Sequence, residues 1–158
     1  MTVRTAKEAD MEFLSAFDAH IGQEELKFAV QRGRVFIAEE EGAAPVGWLR
    51  WNLFWDNTPF MNLLFLREEY RRKGYGTALV ARWEALMKEN GCRLVMTSSQ
   101  ADETAQHFYR KLNYTDAGAL LLPGQPLEII FVKDISEDLP GSSSMFGSQR
   151  ICKNQEYF

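Results

Sequence analysis

Three cations followed by two closely spaced glycines are the residues of this 158-residue sequence whose types and spacing could do chemistry. They read Arg71-Arg72-Lys73-Gly74-Tyr75-Gly76-Thr77 and stand between an apolar stretch and an amphipathic one. The first N–H groups of a helix have no partner within it, and the helix dipole adds partial positive charge there, so phosphate oxygens bind at such a point. Glycine lets the main chain approach a ligand without a Cβ clash. The run predicts a phosphate-binding loop, and the alternative interpretation is a solvated basic turn.

Two other phosphate-binding patterns fit these residues less well. A P-loop requires Gly-Lys-Ser/Thr, which is absent from the run. A dinucleotide fingerprint requires a third glycine three positions after the second, where Leu79 stands, and an acidic residue about 20 positions further on, which the stretch RLVMT lacks.

Hydrophobic patterning predicts the elements that position this loop. Predicted strands cover 2–5, 35–40, 46–54, 60–67, 93–97, 119–122 and 128–133, and predicted helices cover 6–17, 23–31, 75–90 and a segment from a cap at Asp102 to Leu112, ended by Asn113. The near-continuous apolar middle of 60–67 predicts burial on both faces. The order of strand 60–67, helix 75–90 and strand 93–97 predicts that the two strands are parallel, joined by a right-handed crossover. The other neighbouring strands are predicted to be antiparallel. The predicted class is therefore α+β, with a mixed, mainly antiparallel sheet flanked by helices.

Bulk properties exclude several classes. The net charge is −4, whereas a nucleic-acid binder usually carries a basic face. The longest apolar runs have four residues, too few for a membrane span, and the first residues have no apolar signal region. Cys92 and Cys152 make no disulfide framework and, with His20 and His107, no metal-ligand spacing. We expect a cytoplasmic protein that uses no metal.

Arg-x-x-Gly-x-Gly after an apolar strand resembles the acetyl-CoA motif of the GNAT superfamily, Gln/Arg-x-x-Gly-x-Gly/Ala. The resemblance extends through LLFLREEYRRKGYG, and DETAQHFYRKLNY is similar to the family's second signature, an Asn-x-x-Ala-x-x-x-Tyr helix ending in Lys-x-Gly-Phe. The opening VRTAKEAD is also similar to the usual family start. The resemblance covers about residues 2–135. It implies a GNAT acetyltransferase domain at 1–135, followed by a tail at 136–158 that is flexible or docks through Met145, Phe146, Ile151 and Phe158.

The resemblance also implies how acetyl-CoA would be held. Main-chain groups of Leu64, Phe65 and Leu66 would bind the pantetheine arm and the acetyl carbonyl. The pyrophosphate would lie among the main-chain amides and cations of Arg71, Arg72, Lys73, Gly74, Tyr75, Gly76 and Thr77. Asp102 stands where the family usually has a cofactor-contacting Asn; a carboxylate lacks the amide donor, so a helix cap is an equal interpretation.

By the same resemblance, the chain is an N-acetyltransferase in which a primary amine attacks acetyl-CoA directly in a ternary complex. Tyr109 falls at the position of the family's frequent general acid. A phenol with a reference pKa of about 10 is suited to protonate a leaving thiolate. The alternative for Tyr109 is a core aromatic at helical spacing.

The general base and the acceptor wall have several candidates. Strands 60–67 and 93–97 carry no carboxylate, which leaves Glu39, Glu40 and Asp56 as candidate bases. The favoured interpretation of each is solvated surface charge, since a water chain or an amine that arrives deprotonated needs no dedicated base. The hairpin that walls the acceptor site in this family is aromatic. Trp48 and Phe54 share strand parity and Trp51 does not, so one set is predicted to be core and the other to line a pocket or subunit contact.

Expected partners are a small-molecule or peptide amine, with neither nucleic acid nor membrane. A homodimer, common among relatives, is compatible with the sequence. The alternative from another class is a non-catalytic module that senses acyl-CoA or mediates assembly.

Overall fold

The computed structural model describes residues 1–40, 44–136 and 152. Its strands are β1 (Thr2–Thr5), β2 (Val35–Glu39), β3 (Gly47–Phe54), β4 (Thr58–Leu66), β5 (Leu94–Gln100), β6 (Thr115–Leu120) and β7 (Glu128–Asp134). Its α-helices are α1 (Met11–Phe17), α2 (Gln23–Gln31), α3 (Tyr75–Glu89) and α4 (Ala105–Lys111), with 3-10 turns at Glu8–Asp10 and Glu68–Tyr70. Within these residues, no helix combines the length and apolar character that crossing a bilayer requires.

The described strands form one sheet in the order β1-β2-β3-β4-β5-β7-β6. The β1–β2, β2–β3, β5–β7 and β6–β7 pairs are antiparallel, and β4 with β5 is the one parallel pair. The predicted mixed α+β class is confirmed. β5 continues to Gln100 and β6 begins at Thr115, beyond the predicted bounds, because both pair along β7.

The described chain forms two compact units, and the first comprises Met1–Asn52 and Met61–Trp83. Apolar side chains of α1, α2, β2 and β3, together with Ala6 after β1, form one core cluster there, because each helix has one apolar face to bury. The cluster consists of Ala6, Leu14, Leu26, Ala29, Val30, Val35, Ile37 and Trp48.

A buried ion pair crosses this first core. The Asp18 side chain, after α1, is 0% exposed, and that of Arg50 on β3 is 10% exposed. Arg50 Nε donates to Asp18 Oδ2 at 3.0 Å, and Trp48 Nε1 donates to the same oxygen at 3.4 Å. The main-chain N–H of His20 donates to Asp18 Oδ1 at 3.2 Å. The loop between α1 and α2 is thereby tied to β3.

The burial of the aromatic residues in and just after β3 changes along the strand and does not alternate between its two faces. Gly47–Trp51 are all buried, so Trp48 and Trp51 are both interior despite opposite parity. Phe54 is partly exposed and Trp55 is 74% exposed. The parity prediction was wrong because this half of β3 is covered on both faces.

The second unit comprises Leu53–Phe60 and the described residues from Glu84 onward. β5, β7 and β6 pair there, and α4 contributes Tyr109 to an aromatic cluster with Tyr114 and Phe131 at ring-centroid distances of 5.8 Å. Glu84 accepts hydrogen bonds from the Tyr114 hydroxyl at 2.8 Å and Lys133 Nζ at 2.7 Å. Burial raises the pKa of the Tyr114 phenol, and the Glu84 charge adds to that rise.

The predicted cap at Asp102 is wrong. α4 begins at Ala105, Thr104 takes the N-cap position without a side-chain hydrogen bond, and Asp102 is exposed in a preceding turn. That turn is closed by Glu103 N donating to Gln100 O at 3.0 Å and by other main-chain contacts, so the helix starts later. Asn113 ends the helix as predicted, with φ +66°.

The two cysteines form a disulfide bond, contrary to the prediction. Cys92 and Cys152 are both buried and are joined across 60 residues of sequence. Cys152 Sγ lies 3.4 Å from the Asn57 carbonyl oxygen. A separation of this size carries no local sequence signal. The other predictions for the tail at 136–158, including docking through Met145, Phe146, Ile151 and Phe158, lie outside the described residues.

Reduction of the disulfide is expected to lower the free energy of unfolding by about 2–4 kcal/mol, since the cross-link restricts the unfolded chain. Urea unfolding monitored by circular dichroism, with and without reductant, measures this change. The control is the Cys92→Ser/Cys152→Ser double variant, whose unfolding midpoint should be the same with and without reductant. An unchanged wild-type midpoint, once thiol titration shows both sulfurs reduced, contradicts the prediction.

Candidate functional site

The main chain turns sharply just before α3, in the predicted phosphate loop. Gly74 has φ +90°, and a Cβ added there would meet no atom within 4 Å. Arg72 also lies in the left-handed region, at φ +60°, which is uncommon for a residue other than glycine. Gly76 is buried in the first turn of α3. The main chain therefore leaves open space at Gly74, directly before the helix N-terminus.

The cations of this loop lie on the surface of the first unit. Arg71, Arg72 and Lys73 are all exposed. Arg71 Nε donates to the Leu66 carbonyl oxygen at 3.1 Å, which ties the loop to the last residue of β4. Lys73 Nζ lies 5.3 Å from the centroid of the Tyr70 ring. The positive charge is thus concentrated where the N–H groups of α3 begin.

The end of β4 is less buried than its sequence predicts. Leu63, Leu64, Phe65 and Leu66 are only partly buried, so the prediction of burial on both faces is wrong for this stretch. The Phe65 ring packs on Trp48 at a centroid distance of 4.4 Å. Part of the surface of this apolar strand end is therefore accessible to solvent.

Gly47 of β3 allows close approach to that strand end. A Cβ at position 47 would lie 2.5 Å from the Phe65 carbonyl oxygen, 3.2 Å from Leu66 Cα and in collision with the Leu66 side chain. Main-chain atoms cannot yield as a flexible side-chain tip can. The spacing of β3 and β4 here therefore requires a residue without a side chain.

Gly47→Ala is expected to cost about 1–3 kcal/mol of stability through overpacking, because Phe65 and Leu66 must shift. Urea unfolding monitored by circular dichroism measures this change. The control is Gly22→Ala, where a Cβ meets nothing within 4 Å, and which should cost under about 1 kcal/mol. Equal stability of the two variants contradicts the prediction.

Tyr109 lies in the aromatic cluster of the second unit. Its ring is buried, and Phe108 packs on it at a centroid distance of 5.5 Å. Burial raises the pKa of the phenol to about 12; a hydrogen bond with Thr97 lowers it, and the charges of Glu103 and Glu128 raise it. The hydroxyl is therefore protonated at neutral pH.

The three carboxylates considered as bases have different surroundings. Glu39 accepts from Arg4 Nε at 3.0 Å, in an ion pair. Glu40 accepts a hydrogen bond from the Tyr75 hydroxyl. Asp56 is exposed in the β3–β4 turn, with φ +61°. Two of the candidates therefore already have side-chain partners. Within the described ranges, no group of three His, Cys, Asp or Glu side chains is arranged to hold a metal ion.

Sequence reasoning missed three features of these surroundings. Glycine inside a strand pattern is a recognised sign of close backbone approach, so Gly47 could have been found. The Thr97–Tyr109 and Glu40–Tyr75 contacts join positions far apart in sequence and carry no local signal. The structure places the loop and the β4 end in the first unit, and Asp102 and Tyr109 in the second.

The sequence model of the acetyltransferase (GNAT) family matches residues 4–114, most of the chain. The chain belongs to the acetyltransferase (GNAT) family. This GNAT protein is accordingly an acyltransferase, and its sheet has the GNAT fold. No curated protein sequence matches it.

Solved structures agree on the fold. Ard1 from Thermoplasma volcanium superposes with a TM-score of 0.74 at 18% identity, covering 86% of this chain and 98% of that one. The ribosomal-protein-S18-alanine N-acetyltransferase from Escherichia coli superposes with a TM-score of 0.69 at 18% identity, covering 92% of this chain and 99% of that one. PaiA N-acetyltransferase from Thermoplasma acidophilum in complex with coenzyme A superposes with a TM-score of 0.67 at 15% identity, covering 84% of this chain and 98% of that one. At these identities the similarity establishes the GNAT fold alone.

Proposed function

We propose that this GNAT enzyme transfers the acetyl group of acetyl-CoA to a primary amine by direct attack in a ternary complex. The observation that carries the proposal is one continuous arrangement in the first unit. A half-buried apolar strand end leads through an open glycine turn into the N-terminus of α3, a helix of 15 residues.

The pyrophosphate is assigned to the turn. Main-chain N–H groups from Arg72 to Thr77 supply donors at the positive end of the α3 dipole. The side chains of Arg71, Arg72 and Lys73 are exposed beside them and neutralise phosphate charge. Open space at Gly74 supports this assignment, because a Cβ there would occupy the volume a phosphate needs.

The pantetheine arm is assigned to the main chain of Leu64, Phe65 and Leu66. Their partial exposure supports this role, because an extended apolar arm with amide groups can bury that surface and hydrogen bond to the strand. The Leu66 carbonyl already accepts from Arg71 Nε, but a carbonyl oxygen has a second lone pair.

In the proposed reaction the amine nitrogen attacks the thioester carbonyl carbon as a neutral nucleophile. A C–N bond forms, the C–S bond breaks, and the sulfur takes the bonding pair as a thiolate. The Tyr109 hydroxyl then gives its proton to that sulfur. The phenolate left behind regains a proton from solvent, and the amine loses its own proton to a base or to water.

The base can be water, because β4 and β5 carry no carboxylate. An amine that arrives already neutral, or one whose proton leaves along a chain of waters, needs no dedicated side chain. Asp56 remains an exposed candidate, whereas Glu39 and Glu40 are engaged by Arg4 and Tyr75.

The acceptor is proposed as a class: a small amine, a lysine side chain or a peptide N-terminus. The name of the Escherichia coli neighbour identifies its substrate as an alanine of a ribosomal protein. That substrate is a reason to include ribosomal and other peptide amines among the acceptors tested for this chain.

Release of free CoA thiol from acetyl-CoA, measured against a panel of small amines, lysine peptides and peptide N-termini, tests the proposal. We expect release that depends on one class of amine. Thermal stabilisation by CoA with no thiol release for any amine would instead indicate a non-catalytic acyl-CoA sensor. Absence of any affinity for CoA or acetyl-CoA would overturn both.

A further inference from the structure

The middle residue of the Gly-Tyr-Gly sequence is buried and hydrogen-bonded to a residue far from it in the sequence. Tyr75 is the first residue of α3, and its side chain is almost entirely covered. Its hydroxyl donates to Glu40 Oε1. Glu40 directly follows β2 and precedes Tyr75 by 35 positions in the sequence. The hydrogen bond therefore connects the phosphate loop to the β2 end of the first unit.

Tyr75 also contacts the 3-10 turn that precedes the loop. The Tyr70 ring meets it edge-on at a centroid distance of 5.8 Å, and Lys73 Nζ lies over the Tyr70 ring. Tyr70 itself lies in the 3-10 turn, and its main-chain N–H donates to the Arg67 carbonyl oxygen at 3.0 Å. Both ends of the loop at 71–74 are thus fixed, at Tyr70 on one side and at Tyr75 on the other.

The contact between Glu40 and Tyr75 is a hydrogen bond to a carboxylate, which is stronger than one between neutral groups. Glu40 accepts from the Tyr75 hydroxyl, and the pKa of that phenol is raised to about 12, first by this hydrogen bond. The bond orients the residue that begins α3 and whose neighbours Gly74 and Gly76 curve the main chain.

We propose that Glu40 and Tyr75 are a positioning pair that holds the phosphate loop in its pyrophosphate-binding shape. The inference rests on the proposed function, because it concerns how the same loop binds the CoA diphosphate. It assigns Glu40 to loop geometry and removes it from the candidates for general base.

The test compares Tyr75→Phe, Glu40→Gln and Glu40→Ala by calorimetric titration with CoA and by steady-state kinetics with acetyl-CoA. Tyr75→Phe and Glu40→Ala should each weaken CoA binding and raise KM for acetyl-CoA roughly five- to tenfold, since each removes a hydrogen bond to a charged group. kcat at saturating acetyl-CoA should change by less than about twofold. Glu40→Gln keeps an acceptor oxygen and should restore most of the affinity.

Two controls separate positioning from other effects. The Glu40→Ala/Tyr75→Phe double variant should bind no more weakly than either single variant, because both remove the same bond. Glu69→Gln removes an exposed carboxylate from the turn before the loop and should leave CoA affinity within about twofold of wild type. Circular dichroism melting confirms that each variant is folded.

Three results would overturn the inference. Unchanged or tighter CoA binding by folded Tyr75→Phe and Glu40→Ala, with wild type binding normally, overturns the positioning pair alone. A loss of kcat in Glu40→Gln with unchanged KM identifies Glu40 as the base instead. A wild-type protein without affinity for CoA overturns the proposed function and the pair together.

Discussion

Tyr109→Phe is expected to lower kcat at least roughly tenfold, the low side of general-acid effects, while CoA affinity stays within about twofold of wild type. The substitution removes only the hydroxyl, so the ring keeps its contacts with Phe108, Tyr114 and Phe131. Stopped-flow or steady-state thiol release measures kcat, and calorimetric titration measures CoA affinity.

The pH profile gives a second check on Tyr109. The folded-state pKa of about 12 lies above the ordinary value of 10.0, so the phenol remains protonated and able to act as an acid until pH approaches that value. Turnover of the wild type should show no alkaline loss from this group in the neutral range.

The matched control for removing a hydroxyl from this cluster is Tyr114→Phe. Tyr114 is the neighbouring buried phenol, and its hydroxyl donates to Glu84. Wild-type turnover in Tyr109→Phe would remove Tyr109 from the mechanism.

Asp18→Ala is expected to lower the free energy of unfolding by about 3–5 kcal/mol, since it leaves the buried Arg50 guanidinium without its carboxylate. The Trp48 indole N–H and the His20 main-chain N–H lose their acceptor in the same step. Urea unfolding followed by circular dichroism, with the slope compared between variants, measures the change.

The matched control for Asp18 is the surface pair of Arg110 and Asp116. It joins Nη2 and Oδ2 at 2.8 Å, but its side chains are 37% and 51% exposed. Solvent screening makes such an exposed pair a weak contributor to stability, so Asp116→Ala should change the free energy of unfolding little. A cost for Asp18→Ala as small as that of the control would show that the buried pair is not a major source of stability.

The parts of the fold that were predictable depend on local pattern. The amphipathic helix α3 and the helix end at Asn113 follow from residue types within a few positions of one another. The GNAT family itself was predictable because its two signatures combine such local features in a fixed order.

The predictions that failed depend on distant partners. Trp48 and Trp51 are both buried because neighbouring elements cover both faces of β3, which strand parity cannot reveal. Asp102 loses the cap position because the turn after β5 closes through other main-chain contacts. Cys92 with Cys152, and Glu40 with Tyr75, meet only after the chain folds. The proposed loop was therefore predictable in sequence, whereas the contacts that hold it in shape were not.

The uneven burial of the four tryptophans gives the protein a built-in optical label. Trp48, Trp51 and Trp83 are buried, whereas Trp55 at the hairpin tip is 74% exposed. A water-soluble quencher such as iodide reaches the indole of Trp55 first, so its emission can be separated from that of the interior. With Trp55 replaced by phenylalanine, the remaining fluorescence reports on the interior alone, and no dye has to be attached.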